Sequence, residues 1–252
     1  MKEIRHQAKH AFPKKRHFSW KVVSIILILI SLITLIKPVH KDIKNSFYFL
    51  EGKVDYLLAK PSQKLTVDLQ NQLPDLPNGC EVTSLSMLLN YYDLNTTKDQ
   101  LASEIKHVDS FYPGNKRGNP HVGFVGYMSQ KNGGWCVYNE PLYDLAHAYT
   151  PNAVNFTGHD FNSVIKKVSD GHPVLIIVST TLKPVDDMRT WNTPQGKVQV
   201  TPSSHCVIVT GYDKKQGIVY LNNPFGYQNQ ATNWQDLEAV YNQQGKQAIY
   251  IK

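Results

Sequence analysis

Residues 72–92 read QLPDLPNGCEVTSLSMLLNYY, and the position of one cysteine in this stretch decides how the rest of the chain is read. Pro77, Asn78 and Gly79 break regular structure just before Cys80. From there Val82, Leu85, Leu88, Leu89 and Tyr92 recur at helical spacing, which predicts a helix over 80–92 with those five on its inner side. Cys80 opens that helix. Its sulfur is expected where unpaired backbone N–H groups and the helix dipole favour an anion, a setting that lowers a thiol pKa and makes a nucleophile. Burial as an ordinary packing residue is the plain alternative.

Outward from this helix the pattern is mixed. Residues 65–69 alternate and read as a strand. Thr97 with Gln100 forms a capping box that opens a second helix through Leu101 and Ile105. A third helix is predicted over 161–169, stopped at Asp170-Gly171. Strands then dominate: an apolar run over 173–179, a hairpin of 205–212 with 217–221, and a last strand over 247–251. Thr232 with Gln235 caps a final helix to about Tyr241, while 110–119 and 184–204 read as long loops. Helices lead and strands follow, so the fold class is α+β with segregated halves.

A thiol nucleophile needs a base, and His205 has the right setting. It starts a strand after a polar loop, at a strand's edge, with Val207 and Val209 on its face and Cys206 and Ile208 on the other. Cys206 thus points away from whatever His205 faces. Asn222-Asn223-Pro224 ends the partner strand, where a side-chain carbonyl can hold an imidazole in one tautomer or simply close a turn. Gln72, eight residues before Cys80, carries a carboxamide able to donate to an oxyanion beside the Cys80 N–H, or to sit on the surface. The order Gln, Cys, His, Asn sets a nucleophile on an early helix and its partners on later strands, as in papain-like enzymes.

At this point the residues resemble a known family. The run 72–92 is similar to the nucleophile segment of the C39-like peptidases, papain-superfamily relatives of the enzymes that clip double-glycine leaders from bacteriocins. Residues 119–126 (NPHVGFVG), 171–174 (GHPV) and 204–213 (SHCVIVTGYD) resemble further stretches of the family. The resemblance spans roughly 65–252. It implies a papain-like fold in which a nucleophile helix packs on an antiparallel sheet. It also implies Cys80 as nucleophile, His205 as general base, Asn223 as orienter and Gln72 in the oxyanion hole. The family usually has Asp where this chain has Asn223; papain-like enzymes work with Asn there.

The N-terminus is of another kind. Residues 1–21 hold seven basic groups and one acid, Glu3, so nearly all of the chain's +7 lies there, and the remainder balances 20 basic against 19 acidic groups. A basic body suited to nucleic acid is therefore excluded. Residues 22–36 carry no charge, and at ~1.5 Å per residue they approach the ~30 Å hydrocarbon core once Trp20 and the flanking lysine stems are added. With no cleavage site following, an uncleaved transmembrane signal anchor is expected, and the positive-inside rule keeps the tail in the cytoplasm and the body outside. Residues 37–64 read as a stalk or linker helix, with Ile43, Phe47, Leu50, Val54 and Leu57 in one stripe. The papain-like domain is expected over 65–252.

The remaining inventory is bland. Three cysteines make no disulfide framework and show no zinc-ligand spacing, Cys136 reads as a small buried hydrophobe, and Asp186-Asp187 reads as a solvated pair. Trp191 is placed either at the cleft border or as a core buttress. No metal or organic cofactor is implied. The expectation is a single-pass, membrane-anchored extracellular cysteine peptidase acting on a peptide or a cell-wall-linked substrate. The alternatives are an acyl or peptidyl transferase working on wall or surface proteins, and a papain-like binding module without turnover.

Overall fold

The computed structural model describes residues 37–252. Six helices occur there: Lys37–Leu58 (α1), Cys80–Asn90 (α2), Lys98–Glu104 (α3), Asn139–Tyr149 (α4), Phe161–Ser169 (α5) and Trp234–Gln243 (α6). The strands are Ser62–Lys64 (β1), His107–Val108 (β2), Phe111–Tyr112 (β3), Lys116–Arg117 (β4), Phe124–Val125 (β5), Ala153–Asn155 (β6) and Val174–Ser179 (β7). They continue with Arg189–Thr193 (β8), Gly196–Val200 (β9), Ser204–Asp213 (β10), Ile218–Asn223 (β11), Tyr227–Asn233 (β12) and Ala248–Ile251 (β13). The class is α+β, and residues Asn45–Lys252 form one compact unit.

The central sheet runs β12-β11-β10-β7-β13-β6, antiparallel throughout, and β1 pairs with the far half of β10. All six residues of β7 are buried, so both faces of the sheet are covered, which is why that segment reads as a continuous apolar run. On β10, pairing with β7 covers Ser204 to Val209 whereas pairing with β11 begins only at Ile208. The first residues of β10 are therefore open on one side, and His205 is among them.

Helix α2 packs on β10, β7 and β13 and against α3 and α4. Ten of its eleven residues are buried, including Val82, Leu85 and Leu88, which are fully inaccessible. A hydrogen bond fixes the docking: Ser84 Oγ donates to the carbonyl of Cys206 at 3.0 Å. The predicted helices at 97–105 and 161–169 are present, with Thr97 accepting from Gln100 N and Asp160 accepting from Asn162 N as caps.

Three expectations are corrected. The strand predicted at 65–69 is displaced to β1; the alternation is real, with Leu65 and Val67 buried, but the ladder stops and Asn222 Nδ2 takes the Val67 carbonyl instead. The cap of the last helix is Asn233, accepting from Asp236 N, one residue beyond Thr232. The stretches 110–119 and 184–204, expected as long loops, contain the β3–β4 and β8–β9 hairpins. Helix α4 was not foreseen; Pro141 falls in its first turn, where a proline costs no intrahelical bond.

Helix α1 meets the domain by one face. Tyr48 stacks on His159 with ring centroids 3.8 Å apart, and His159 Nδ1 meets Glu51 Oε2 at 3.0 Å. Gly52 permits this approach, since a Cβ there would lie 2.5 Å from Asp160 Cβ. All five residues of the predicted stripe, Ile43, Phe47, Leu50, Val54 and Leu57, are exposed. Among the described residues no helix is long and apolar enough to cross a membrane, and the expected span at 22–36 lies outside them.

Because α2 carries Cys80 and is held mainly by burial, Leu85→Ala should destabilise the domain by ~2–5 kcal/mol, whereas exposed Leu50→Ala should leave stability within ~0.5 kcal/mol. Urea unfolding of the two variants checks the contrast.

Candidate active site

The elements that carry Cys80, His205, Asn223 and Gln72 converge on one end of the central sheet. A cleft of about 390 Å³ opens there, lined by Gln72, Cys80, Trp135, Ser204, His205 and Phe225 among others. Helix α2 begins at Cys80, and its N-cap, Gly79, offers no side chain to the first turn, which leaves backbone donors unmet at the cleft end of the helix. The segment before it is tied down by Asn78 N donating to Met128 O at 3.1 Å and Asn78 Nδ2 to Gln130 O at 2.6 Å.

His205 lies on β10 and Asn223 at the end of the neighbouring β11. The imidazole Nε2–H donates to Asn223 Oδ1 at 2.9 Å. The carboxamide of Asn223 has only one consistent orientation, because Phe225 N also donates to Oδ1 at 3.1 Å while Nδ2 donates to Gln230 Oε1 at 2.8 Å. An amide oxygen only accepts, so the proton sits on Nε2 and the lone pair on Nδ1. Phe225 stacks on the ring, centroids 4.4 Å apart and planes 13° from parallel. The ring is 1% exposed, and burial, only partly offset by Asn223, pushes its pKa down to about 4.

Cys80 is buried. The sequence expectation of a lowered thiol pKa from the helix terminus is reversed: burial, then the neighbouring Glu81 carboxyl, pushes the thiol up. The thiol donates to Glu81 Oε2 at 3.2 Å, and no thiol–imidazole hydrogen bond joins it to His205 among the described residues. Glu81 is wholly inaccessible, accepts from Val137 N through Oε1 at 3.1 Å, and burial raises its pKa to about 7. Sequence reasoning passed over Glu81, although 81, 85 and 88 share one helical face and an acid on an apolar stripe was a visible signal.

Gln72 is 1% exposed and lines the cleft, and its backbone N–H donates to Pro224 O at 2.8 Å. Its Nε2 donates to the carbonyls of Leu76 and Pro77 at 3.2 and 2.9 Å, and Oε1 is buried with no partner among the described residues.

Other sequence candidates separate. Cys206 and Cys136 are buried and do not line the cleft, as alternation along β10 requires for Cys206. No group of three or more metal-binding side chains occurs among the described residues. Asp187 is not simply solvated: it accepts from Thr201 Oγ1 and Ser203 Oγ and shapes the turn entering β10. Trp191 is 7% exposed and meets Trp135, a cleft residue, edge-on at 4.6 Å. The NPHVGFVG stretch serves as a brace, with His121 paired to Glu140 at 2.7 Å away from the cleft.

The model of the peptidase C39-like family matches residues 64–249. The chain belongs to that family. It is similar to the uncharacterized protein YvpB of Bacillus subtilis strain 168, 44% identical over 198 residues, or 77% of this chain and 76% of that protein. A solved structure of a Bacillus anthracis protein assigned to the C39-like peptidases is similar too. It is 40% identical, with a TM-score of 0.73, covering 77% of this chain and 98% of that one.

Among C39-like proteins with Asp in place of Asn223, a carboxylate would favour the imidazolium. Asn223→Asp should therefore raise the His205 pKa from about 4 by a unit or more. A histidine held below its ordinary value gives stability that is present above pH ~6.5 and lost as pH falls toward the folded-state value. The substitution should narrow that window. An NMR titration of the imidazole reads the shift directly, and an unchanged midpoint would contradict it.

Proposed function

We propose that the protein is a membrane-anchored cysteine peptidase whose domain faces outward, with Cys80, His205 and Asn223 as its triad and Gln72 as an oxyanion donor. The observation that carries this reading is the 2.9 Å bond from His205 Nε2 to Asn223 Oδ1 in the cleft that also holds Cys80. It leaves Nδ1, the basic nitrogen, to take a thiol proton.

The chemistry follows from those atoms. The Cys80 thiol gives its proton to His205 Nδ1, and the sulfur bonds to the carbonyl carbon of a peptide. The oxyanion is met by the Cys80 N–H and by Gln72 Nε2 once that carboxamide turns from the Leu76 and Pro77 carbonyls. The C–N bond breaks as His205 protonates the leaving amine. Water, deprotonated by the same nitrogen, then cleaves the thioester and restores the thiol. Family membership supports peptide hydrolysis as the reaction, and none of these steps calls for a metal or organic cofactor. The substrate is a peptide or a peptide linked to the cell wall.

Anchoring rests on the sequence. The uncharged run 22–36 follows a tail with seven basic groups, so the tail stays in the cytoplasm and the domain outside.

Two measurements test the proposal. Cys80→Ala and His205→Ala should each reduce kcat/KM on a quenched-fluorescence peptide library by roughly a thousandfold or more; a folded Cys80→Ala variant with full turnover would end the assignment. In intact cells making the full chain, added protease should digest the domain and spare the tail. A fully protected domain would refute the outward topology.

A further inference from the structure

The mechanism above makes no use of Glu81, although its carboxyl touches the sulfur on which everything else depends. An acid with no exposed surface, in the first turn of a helix otherwise built from apolar and small residues, is costly unless it is neutral or well bonded. Here Oε1 accepts from Val137 N at 3.1 Å and Oε2 accepts from the Cys80 thiol at 3.2 Å. The thiol hydrogen is thus directed to Glu81.

We propose that Glu81 is a latch on the nucleophile: it holds the Cys80 thiol in a resting hydrogen bond that must be given up before the sulfur is deprotonated, in catalysis by exchange for one to His205 Nδ1. This rests on the peptidase reading for its partner His205, but the latch itself is a property of Cys80 and Glu81 alone. In the exchange the S–H swings from Oε2 to Nδ1, and the proton then passes to the imidazole, leaving thiolate and imidazolium. Glu81 neither gains nor loses a proton in that step. Its charge nevertheless sets the cost, because an ionised carboxylate beside the sulfur opposes the thiolate.

Hydrogen bonds from the Cys80 thiol, the Glu81 N–H and Val137 N favour that charge, but burial outweighs them and no cation is among the groups that act on it. The titratable groups felt by Glu81 are Cys80 on its own helix, Cys136 and Tyr138 on the segment after β5, and Cys206 on β10, each pushed up by burial and neutral at pH 7. Since burial raises Glu81 itself to about 7, the latch is tighter above that pH, where the carboxylate is ionised, and looser below it.

The test reads the thiol without turnover. The full-length protein and its Glu81→Gln variant are treated with iodoacetamide from pH 5 to 10, and Cys80 labelling is followed by peptide mass spectrometry. Gln retains an acceptor for Val137 N, removes the charge and offers an N–H to the sulfur. Labelling of Cys80 at pH 7 should rise tenfold or more and its pH midpoint should fall by at least one unit. A variant with native near-UV circular dichroism that labels no faster than wild type overturns the latch. Slower labelling overturns it equally, because Glu81 would then be assisting the thiol. Should Glu81→Gln fail to fold, Glu81→Asp withdraws the carboxylate by one methylene, and labelling must rise at least threefold there for the proposal to stand. In a His205→Ala background the same Glu81 effect should persist whether or not the protein cleaves peptides. Failure of the peptidase reading is therefore distinguishable from failure of the latch.

Discussion

The docking of helix α2 on strand β10 is the constraint on which the site depends. Cys80 and His205 are 125 positions apart, and no local preference brings them together. What does so is an inner helix face of Val82, Leu85 and Leu88 with no accessible surface, set against a strand buried along most of its length. Apolar burial is strong but non-directional, so by itself it would allow the helix to slide along the strand. The Ser84 Oγ bond to the Cys206 carbonyl at 3.0 Å supplies direction. It joins the residue one turn after Cys80 to the residue one step after His205.

A second circuit fixes the imidazole. Asn223 is bonded from three sides, and a carboxamide so held presents its oxygen to His205 without a choice of flip. Phe225, two residues on, closes over the ring face. The Gln72 N–H bond to Pro224 O attaches the segment leading to Cys80 to the same turn. The turn 223–225 thus orients the imidazole, shields it and locates the chain that leads to Cys80. Such linked hydrogen bonds in a poorly solvated site restrict one another's geometry more than isolated ones would.

Much of this was legible from residue types. The cap at Thr97, the helix over 161–169 and the strand at 205–212 rest on local patterns that tertiary structure did not override. The alternation of His205 against Cys206 told which side chain would reach the cleft. The errors came where long-range bonds replaced local ones: residues 65–69 alternate like a strand, but Asn222 takes the Val67 carbonyl that a neighbouring strand would have used. The thiol was misjudged for a related reason. Cys80 does stand at a helix N-terminus, yet a terminal dipole matters less than desolvation once the sulfur is covered. Burial of a particular atom is decided by the whole fold, and no window of sequence reports it.

Charge placement gives the site its resting character. The partner of His205 is neutral Asn223, so nothing anionic beside the ring offsets the burial that drives His205 down to about 4. The carboxyl that the site does contain stands instead against the sulfur, where it opposes ionisation. Both arrangements push the same way: thiol and imidazole are each held neutral, and the ion pair that a thiol hydrolase uses is disfavoured at rest. Burial penalises two separated charges far more than it penalises an adjacent pair, because an adjacent pair largely cancels in a poorly solvated cleft. The thiolate and imidazolium are therefore favoured only when sulfur and Nδ1 are brought into contact. In the proposed peptidase the nucleophile is made by geometry at the moment of encounter, rather than stored as a standing anion at the end of a helix.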